Sequence, residues 1–304
     1  MVPLHRDAAL KGFLWKLGIY LLFVAVVTTV SSQERRRENA LRTYVDPVTG
    51  VQILSHLDPD MFPASWDDPS EPTVAEEPEA KLIAGGVRGV LLALHKYPTS
   101  LLRANLKRVY LVQNLLVDGV ETGGVNAPEL KTIYVDLDNV TRLDEPVWAE
   151  ETIHHEFAHL LTDIHSNDFS EETWAKLNKP GFKYGDGGTE AIRTGHDGGD
   201  ITDEYLQKGF AEEYGMSDIQ EDFATLTERI FVGDVLVRKA AARYPIVGRK
   251  VDRIISFYET LNPAMTKDYF RHLPTVTVNS DNQPPSESGG THTTVDAKHK
   301  VSAH

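Results

Sequence analysis

The sequence predicts an α+β fold, a small twisted sheet over one helix with a helical part toward the C-terminus. Two β-branched and aromatic runs, Lys107–Leu116 and Thr132–Asp136, are separated by a Gly-rich turn, Gly119 to Gly124, and read as neighbouring strands. From Ile153 to Ile164 apolar residues recur at helical spacing. Met216–Phe231 repeats that spacing, with Ile219, Phe223, Leu226 and Ile230 on one stripe and Ser217 placed as the N-cap.

Taken in order, residues 1–32 stand apart from the globular part. His5, Arg6, Lys11 and Lys16 precede the apolar run Leu17–Val30, and Val30-Ser31-Ser32 resembles a small-residue cleavage site, the pattern of a signal peptide. The run has 14 residues, short of the roughly 20 a spanning helix needs, but residues from Gly12 onward extend it if Lys16 reaches back to the interface. A cleaved signal or an uncleaved membrane anchor is expected, and with it an extracytoplasmic location. Residues 33–79 read as a polar linker, because Asp58–Pro78 gathers Pro, Asp, Glu and Ser around Trp66 with little periodicity. Lys81–Tyr97 has Leu82, Ile83, Val87, Val90, Leu91 and Leu94 at helical spacing and ends before Pro98, a helix backing the sheet despite Gly85 and Gly86. Asn139-Val140-Thr141 fits a glycosylation acceptor, too short a pattern to carry weight. Val232–Ala242 and Ile246–Leu261 read as further helices broken at Pro245. Residues 80–262 thus form the main domain, and 263–304, rich in Pro, Ser, Thr, Asn and Gly, read as a disordered tail.

Composition narrows the chemistry. The chain has 304 residues, a formal charge of −14 and no cysteine. The acid excess argues against a phosphate-backbone binder, so nucleic acid is not an expected partner. Without cysteine there is no disulfide framework, thiolate metal site or thiol nucleophile, and any metal must be held by His and carboxylate.

His155-Glu156-Phe157-Ala158-His159 meets that requirement, since two histidines one helical turn apart can hold one Zn²⁺. With Ile153 at zero and steps of about 100°, Phe157, Leu160, Leu161 and Ile164 fall within about 80°, while His155 and His159 fall at about 200° and 240°. One face packs on a core and the other offers ligands. Glu156 projects beside the ligand face, where a carboxylate can take a proton from water at a metal. On the later helix Glu221 lies about 200° from Ile219, again opposite the apolar stripe. His155, His159 and Glu221 would give three protein ligands and a position open to water, the pattern of catalytic zinc.

Asp163–Tyr205 alternates glycine with polar residues. Asp186, Asp197, Asp200 and Asp203 could chelate Ca²⁺, yet no EF-hand or regular repeat is present, and solvated turns are the simpler reading. Trp174 and Tyr184 either cover the cleft or pack locally. His165 competes as third ligand, because it lies ten positions after His155 as in the pattern H-E-x-x-H-x-x-G-x-x-H. Thr162 stands where that pattern has its turn-forming glycine, which disfavours His165, and Asp222 is a minor contender because it lies nearer the apolar stripe than Glu221 does.

A family resemblance rests on Tyr97-Pro98, Lys107–Val112, Thr132–Val135, His154–His159 and Gly209-Phe210, Tyr214 and Glu221-Asp222-Phe223-Ala224. Together these resemble the zinc-binding metallopeptidases of the gluzincin type over roughly residues 80–260. The resemblance implies a zincin-like fold, Zn²⁺ on His155, His159 and Glu221, and Glu156 as the catalytic carboxylate. A more distant similarity, to lethal-factor-type metallopeptidases, adds a tyrosine seven residues before the glutamate ligand, here Tyr214, as a second catalytic group. The expected activity is that of a zinc metalloendopeptidase with Glu156 as general base. Its peptide or protein substrate would lie along a sheet edge at the strand near Thr132–Asp136. Two alternatives stay open: a non-catalytic zincin-like surface domain, and a metzincin-type peptidase using His165.

Overall fold

The computed structural model describes residues 42–67, 70, 72–138 and 145–273. The apolar N-terminal run, the Asn139 pattern and the tail beyond Leu273 lie outside them. Among the described residues, seven strands and ten α-helices make an α+β fold.

The strands are β1 (Thr43–Val45), β2 (Gln52–Leu54), β3 (Val74–Glu76), β4 (Arg108–Val117), β5 (Val120–Glu121), β6 (Gly124–Ala127) and β7 (Thr132–Asp136). They form one mixed sheet in the order β1-β2-β4-β7-β6, with β3 and β5 also pairing with β4. β4 is the spine. Its first half runs parallel to β2 and β7, with Val109 opposite Ile133 and Tyr110 opposite Tyr134. Its second half leaves that ladder and pairs antiparallel with β3 and β5. The change comes where Asn114 adopts φ +50° and the β3–β4 register shifts, as at a bulge. Asp118 and Gly119, at φ +50° and +70°, then turn the chain in the manner of a two-residue hairpin loop.

Two expectations are corrected. Residues 33–79 are not simply a linker, since β1, β2 and β3 come from this stretch and Val51 and Ile53 reach the core. Each of these strands is three residues long, too short for alternation to register in the sequence. Nor is Thr132–Asp136 a sheet edge. All five residues are buried between β4 and β6, and the edge is β6, which starts inside the stretch read as a turn.

The helices are α1 (Ala80–Leu94), α2 (Thr99–Asn105), α3 (Glu145–Ile164), α4 (Glu171–Ala175), α5 (Gly188–Thr194), α6 (Asp203–Lys208), α7 (Ile219–Phe231), α8 (Val235–Arg243), α9 (Pro245–Leu261) and α10 (Lys267–Arg271). Gly89 lets α1 and α3 approach: a Cβ there would collide with the Pro146 carbonyl and lie 2.8 Å from Ala149 Cβ. That contact outweighs the roughly 1 kcal/mol a glycine costs inside a helix. Behind α3 the core is aromatic, with the Tyr97 ring 4.9 Å from Phe157 and 4.4 Å from Phe231. Pro245 opens α9 at its first turn, where its missing N–H leaves no hydrogen bond unmade. α10 buries Phe270, so ordered structure runs past the expected end at residue 262. Among the described residues, no helix is long and apolar enough to cross a membrane.

Candidate metal centre

α3 presents two faces, as its periodicity predicts. Ile153, Phe157, Leu160 and Leu161 are fully buried, while His155 and His159 face a cleft of about 570 Å³. The two imidazole rings stand 4.8 Å apart, with their Nε2 atoms separated by 3.1 Å. Glu221, in the first turn of α7, completes a triangle: its Oε2 is 3.0 Å from His155 Nε2 and 3.3 Å from His159 Nε2. Among the described residues, these three make up the cluster whose donor atoms gather closely enough for a metal, all within 4.8 Å of one another. Tetrahedral bonds of about 2.0–2.1 Å put donors about 3.3 Å apart, the size of this triangle, and two imidazoles with one carboxylate suit zinc. Asp186, Asp197, Asp200 and Asp203 form no such cluster.

The electrostatics follow from packing three polar groups together. Burial works against the His155 imidazolium, but Glu221 and Glu228 outweigh it and hold the pKa well above the usual value. Burial also works against the Glu221 carboxylate, and there the two histidines win and hold its pKa far below the ordinary range. Glu156 is only 7% exposed, and burial lifts its pKa although both histidines oppose the rise. A carboxylate with a raised pKa beside a metal site is a better proton acceptor than an ordinary one.

The walls are built close. Gly124, the first residue of β6, lies so near α3 that a Cβ would sit 2.5 Å from Thr152 Cγ2 and 3.1 Å from Glu156 Oε1. On the opposite wall, a Cβ at Gly188 would sit 2.5 Å from both Glu221 Oε1 and the Tyr214 hydroxyl. Tyr214 lies in a 3₁₀ turn with its ring 6.2 Å from that of His155. Burial and the neighbouring Glu221 carboxylate raise the pKa of its hydroxyl well beyond the normal phenol value, so it remains a donor. The glycine-rich segment reaches this wall through Gly185 N–H on the Met216 carbonyl and Gly187 N–H on the Ser217 carbonyl.

Other candidates point elsewhere. α3 continues through Thr162 to Ile164, and His165 Nε2 lies 2.9 Å from Asn105 Oδ1. Asp222 turns into the core toward Lys250, and Trp174 and Tyr184 both donate to its Oδ2 instead of covering the cleft. The N-cap of α7 is Asp218, whose Oδ1 accepts from Glu221 N at 2.8 Å. Ser217, expected in that role, has helical backbone angles of its own at the end of the 3₁₀ turn.

Several cleft residues escaped the sequence reading. Glu228 Oε2 lies 3.3 Å from His155 Nδ1, and the Arg229 guanidinium reaches Glu151, Glu212 and Glu228 at 3.0–3.3 Å. The spacing carried a signal, since Glu228 follows Glu221 by two helical turns and Glu151 precedes His155 by one.

Against known proteins, no curated protein matches the chain. The fold is similar to the crystal structure of a "putative zinc-binding metallo-peptidase" from Bacteroides caccae, with 18% identity and a TM-score of 0.47 over 80% of this chain and 92% of that one. Residues 103–236, which include His155, Glu156, His159, Tyr214 and Glu221, match the family model described as "Putative zinc-binding metallo-peptidase".

Proposed function

We propose that this protein is a zinc-dependent endopeptidase in which His155, His159 and Glu221 hold the metal and Glu156 is the general base. The observation that carries the reading is the triangle of two Nε2 atoms and one carboxylate oxygen with Glu156 on the same helix. Bound zinc would supply Lewis acidity toward water and the scissile carbonyl at neutral pH. Glu156 takes the proton from the attacking water and passes it to the departing amine. Tyr214 donates its hydroxyl hydrogen to the carbonyl oxygen as negative charge develops there. The unpaired side of β6, Gly124–Ala127, offers main-chain groups to an extended peptide and sets it across the cleft. On this reading the partner is a peptide or protein, and the N-terminal apolar run carries the domain out of the cytoplasm as a signal or anchor.

A purely structural zinc site would close with a fourth protein ligand, whereas among the described residues the cluster has three members. That favours the catalytic reading over a non-catalytic binding domain. The test is Glu156→Gln assayed on a mixed peptide library with and without chelator. Wild type should cleave and lose activity to chelator, and the variant should keep its zinc while losing about 10²–10⁴-fold in turnover. Equal turnover by the two chains would remove Glu156 from the mechanism.

A further inference from the structure

We infer that Glu228 is a positioning residue for His155: its carboxylate accepts the Nδ1 hydrogen of that imidazole and leaves the Nε2 lone pair directed at the metal. The inference rests on the reading of His155 as a zinc ligand and adds a role that the motif does not assign. An imidazole has two tautomers, and only the one protonated on Nδ1 presents Nε2 as a donor to a metal. Glu228 Oε2 stands 3.3 Å from Nδ1, on the side of the ring away from the Nε2 that meets Glu221 and His159. A carboxylate there stabilises Nδ1–H and repels the lone pair of the other tautomer. Carboxylates that accept from a metal-bound histidine set its tautomer and orientation and raise its basicity.

The carboxylate is itself held. Its side chain is 9% exposed, and its second oxygen, Oε1, lies 3.3 Å from Arg229 Nη1. The same guanidinium reaches Glu151 Oε1 at 3.1 Å and Glu212 Oε2 at 3.0 Å. Glu151 lies one turn before His155 on α3, and Glu212 lies in the segment that leads to Tyr214. Arg229 therefore ties Glu228 to the helix carrying His155 and to the strand of chain carrying Tyr214. Glu228 is the third carboxyl group gathered around this one guanidinium. A third buried carboxylate adds desolvation cost unless it has a further partner, and the partner in reach is His155.

The experiment compares zinc affinity, by competition with a coloured chelator, in wild type, Glu228→Gln and Glu212→Gln. Each variant removes one carboxyl contact of Arg229, but only the first alters the partner of His155. Glu228→Gln should weaken zinc binding about 10–100-fold and shift the visible absorption of the Co²⁺-substituted protein, while Glu212→Gln binds zinc much as wild type does. Equal loss in both, or no loss in Glu228→Gln, would overturn the inference. If Glu228→Gln does not fold, nitrogen-15 histidine spectra of the zinc-loaded wild type decide: a proton on His155 Nδ1 supports the role, and zinc on Nδ1 overturns it. A wild-type chain that takes up no zinc would instead remove the metal reading itself.

Discussion

Lys250 donates to Asp222 across 2.6 Å with both side chains wholly buried, at the residue that directly follows Glu221. Adjacent positions on α7 thus face opposite ways, Glu221 into the cleft and Asp222 into the core. Asp222 Oδ2 also accepts from Trp174 Nε1 at 2.8 Å and from the Tyr184 hydroxyl at 2.6 Å, so α4, α9 and the glycine-rich segment all meet beneath Glu221. Lys250 lies 3.8 Å from the centre of the Phe210 ring and donates to the Gly209 carbonyl. Asp222→Ala leaves that ammonium buried without its counter-charge, and the expected loss is about 3–5 kcal/mol in urea unfolding. Asp222→Leu combined with Lys250→Met should recover much of it. A loss below about 1 kcal/mol for Asp222→Ala would show that the pair does not hold α7 in place.

Gly124 is expected to be intolerant of any side chain for a catalytic reason. A methyl group there would meet Thr152 and Glu156, and β6 or Glu156 would have to move by several tenths of an ångström. On the proposed role of Glu156 as base, Gly124→Ala should therefore lower kcat by about tenfold or more while zinc content stays near wild type, because a small displacement of the proton acceptor would be costly. Wild-type kcat in this variant would mean that Glu156 is not set by its contact with β6.

His154 ties stability to pH. Its ring is fully buried, its Nδ1 lies 2.8 Å from the Tyr97 hydroxyl, and it stacks on Phe231. Burial depresses its pKa below the usual imidazole value, although Glu150 pulls the other way. The unfolded chain then takes up this proton at about pH 6.5, before the folded chain does. The contribution of neutral His154 is complete above that pH and is lost as pH falls toward the folded-state value, by up to about 1.4 kcal/mol per pH unit. In chelator, the stability gap between wild type and His154→Gln should narrow from pH 7 to pH 5. A gap that widens over the same range would reverse the sign of the shift.

What the sequence revealed, and what it hid, divides along length and burial. The faces of α3 and α7 were legible because each repeats an apolar residue over three or more turns with His155 and His159, or Glu221, opposite. β4 and β7 were legible from β-branched and aromatic content. β6 was not, since Gly124-Val125-Asn126-Ala127 carries neither alternation nor strand-forming composition, and its pairing depends on β7 lying alongside. Glu228, Arg229 and Lys250 were missed for a different reason. A charged residue on an amphipathic helix normally faces water, and the tertiary arrangement is what buries Glu228 and Lys250 and half-buries Arg229 against partners distant in sequence.

The ligand set is the claim on which the rest depends, and a zinc titration across wild type, Glu221→Ala and His165→Ala tests it most directly. Glu221 Oε2 lies within 3.3 Å of both histidine Nε2 atoms, whereas His165 is turned to Asn105. Wild type and His165→Ala should bind one zinc per chain with similar affinity, and Glu221→Ala should bind it far more weakly. Loss of zinc in His165→Ala with retention in Glu221→Ala would contradict the account and transfer the third ligand to His165.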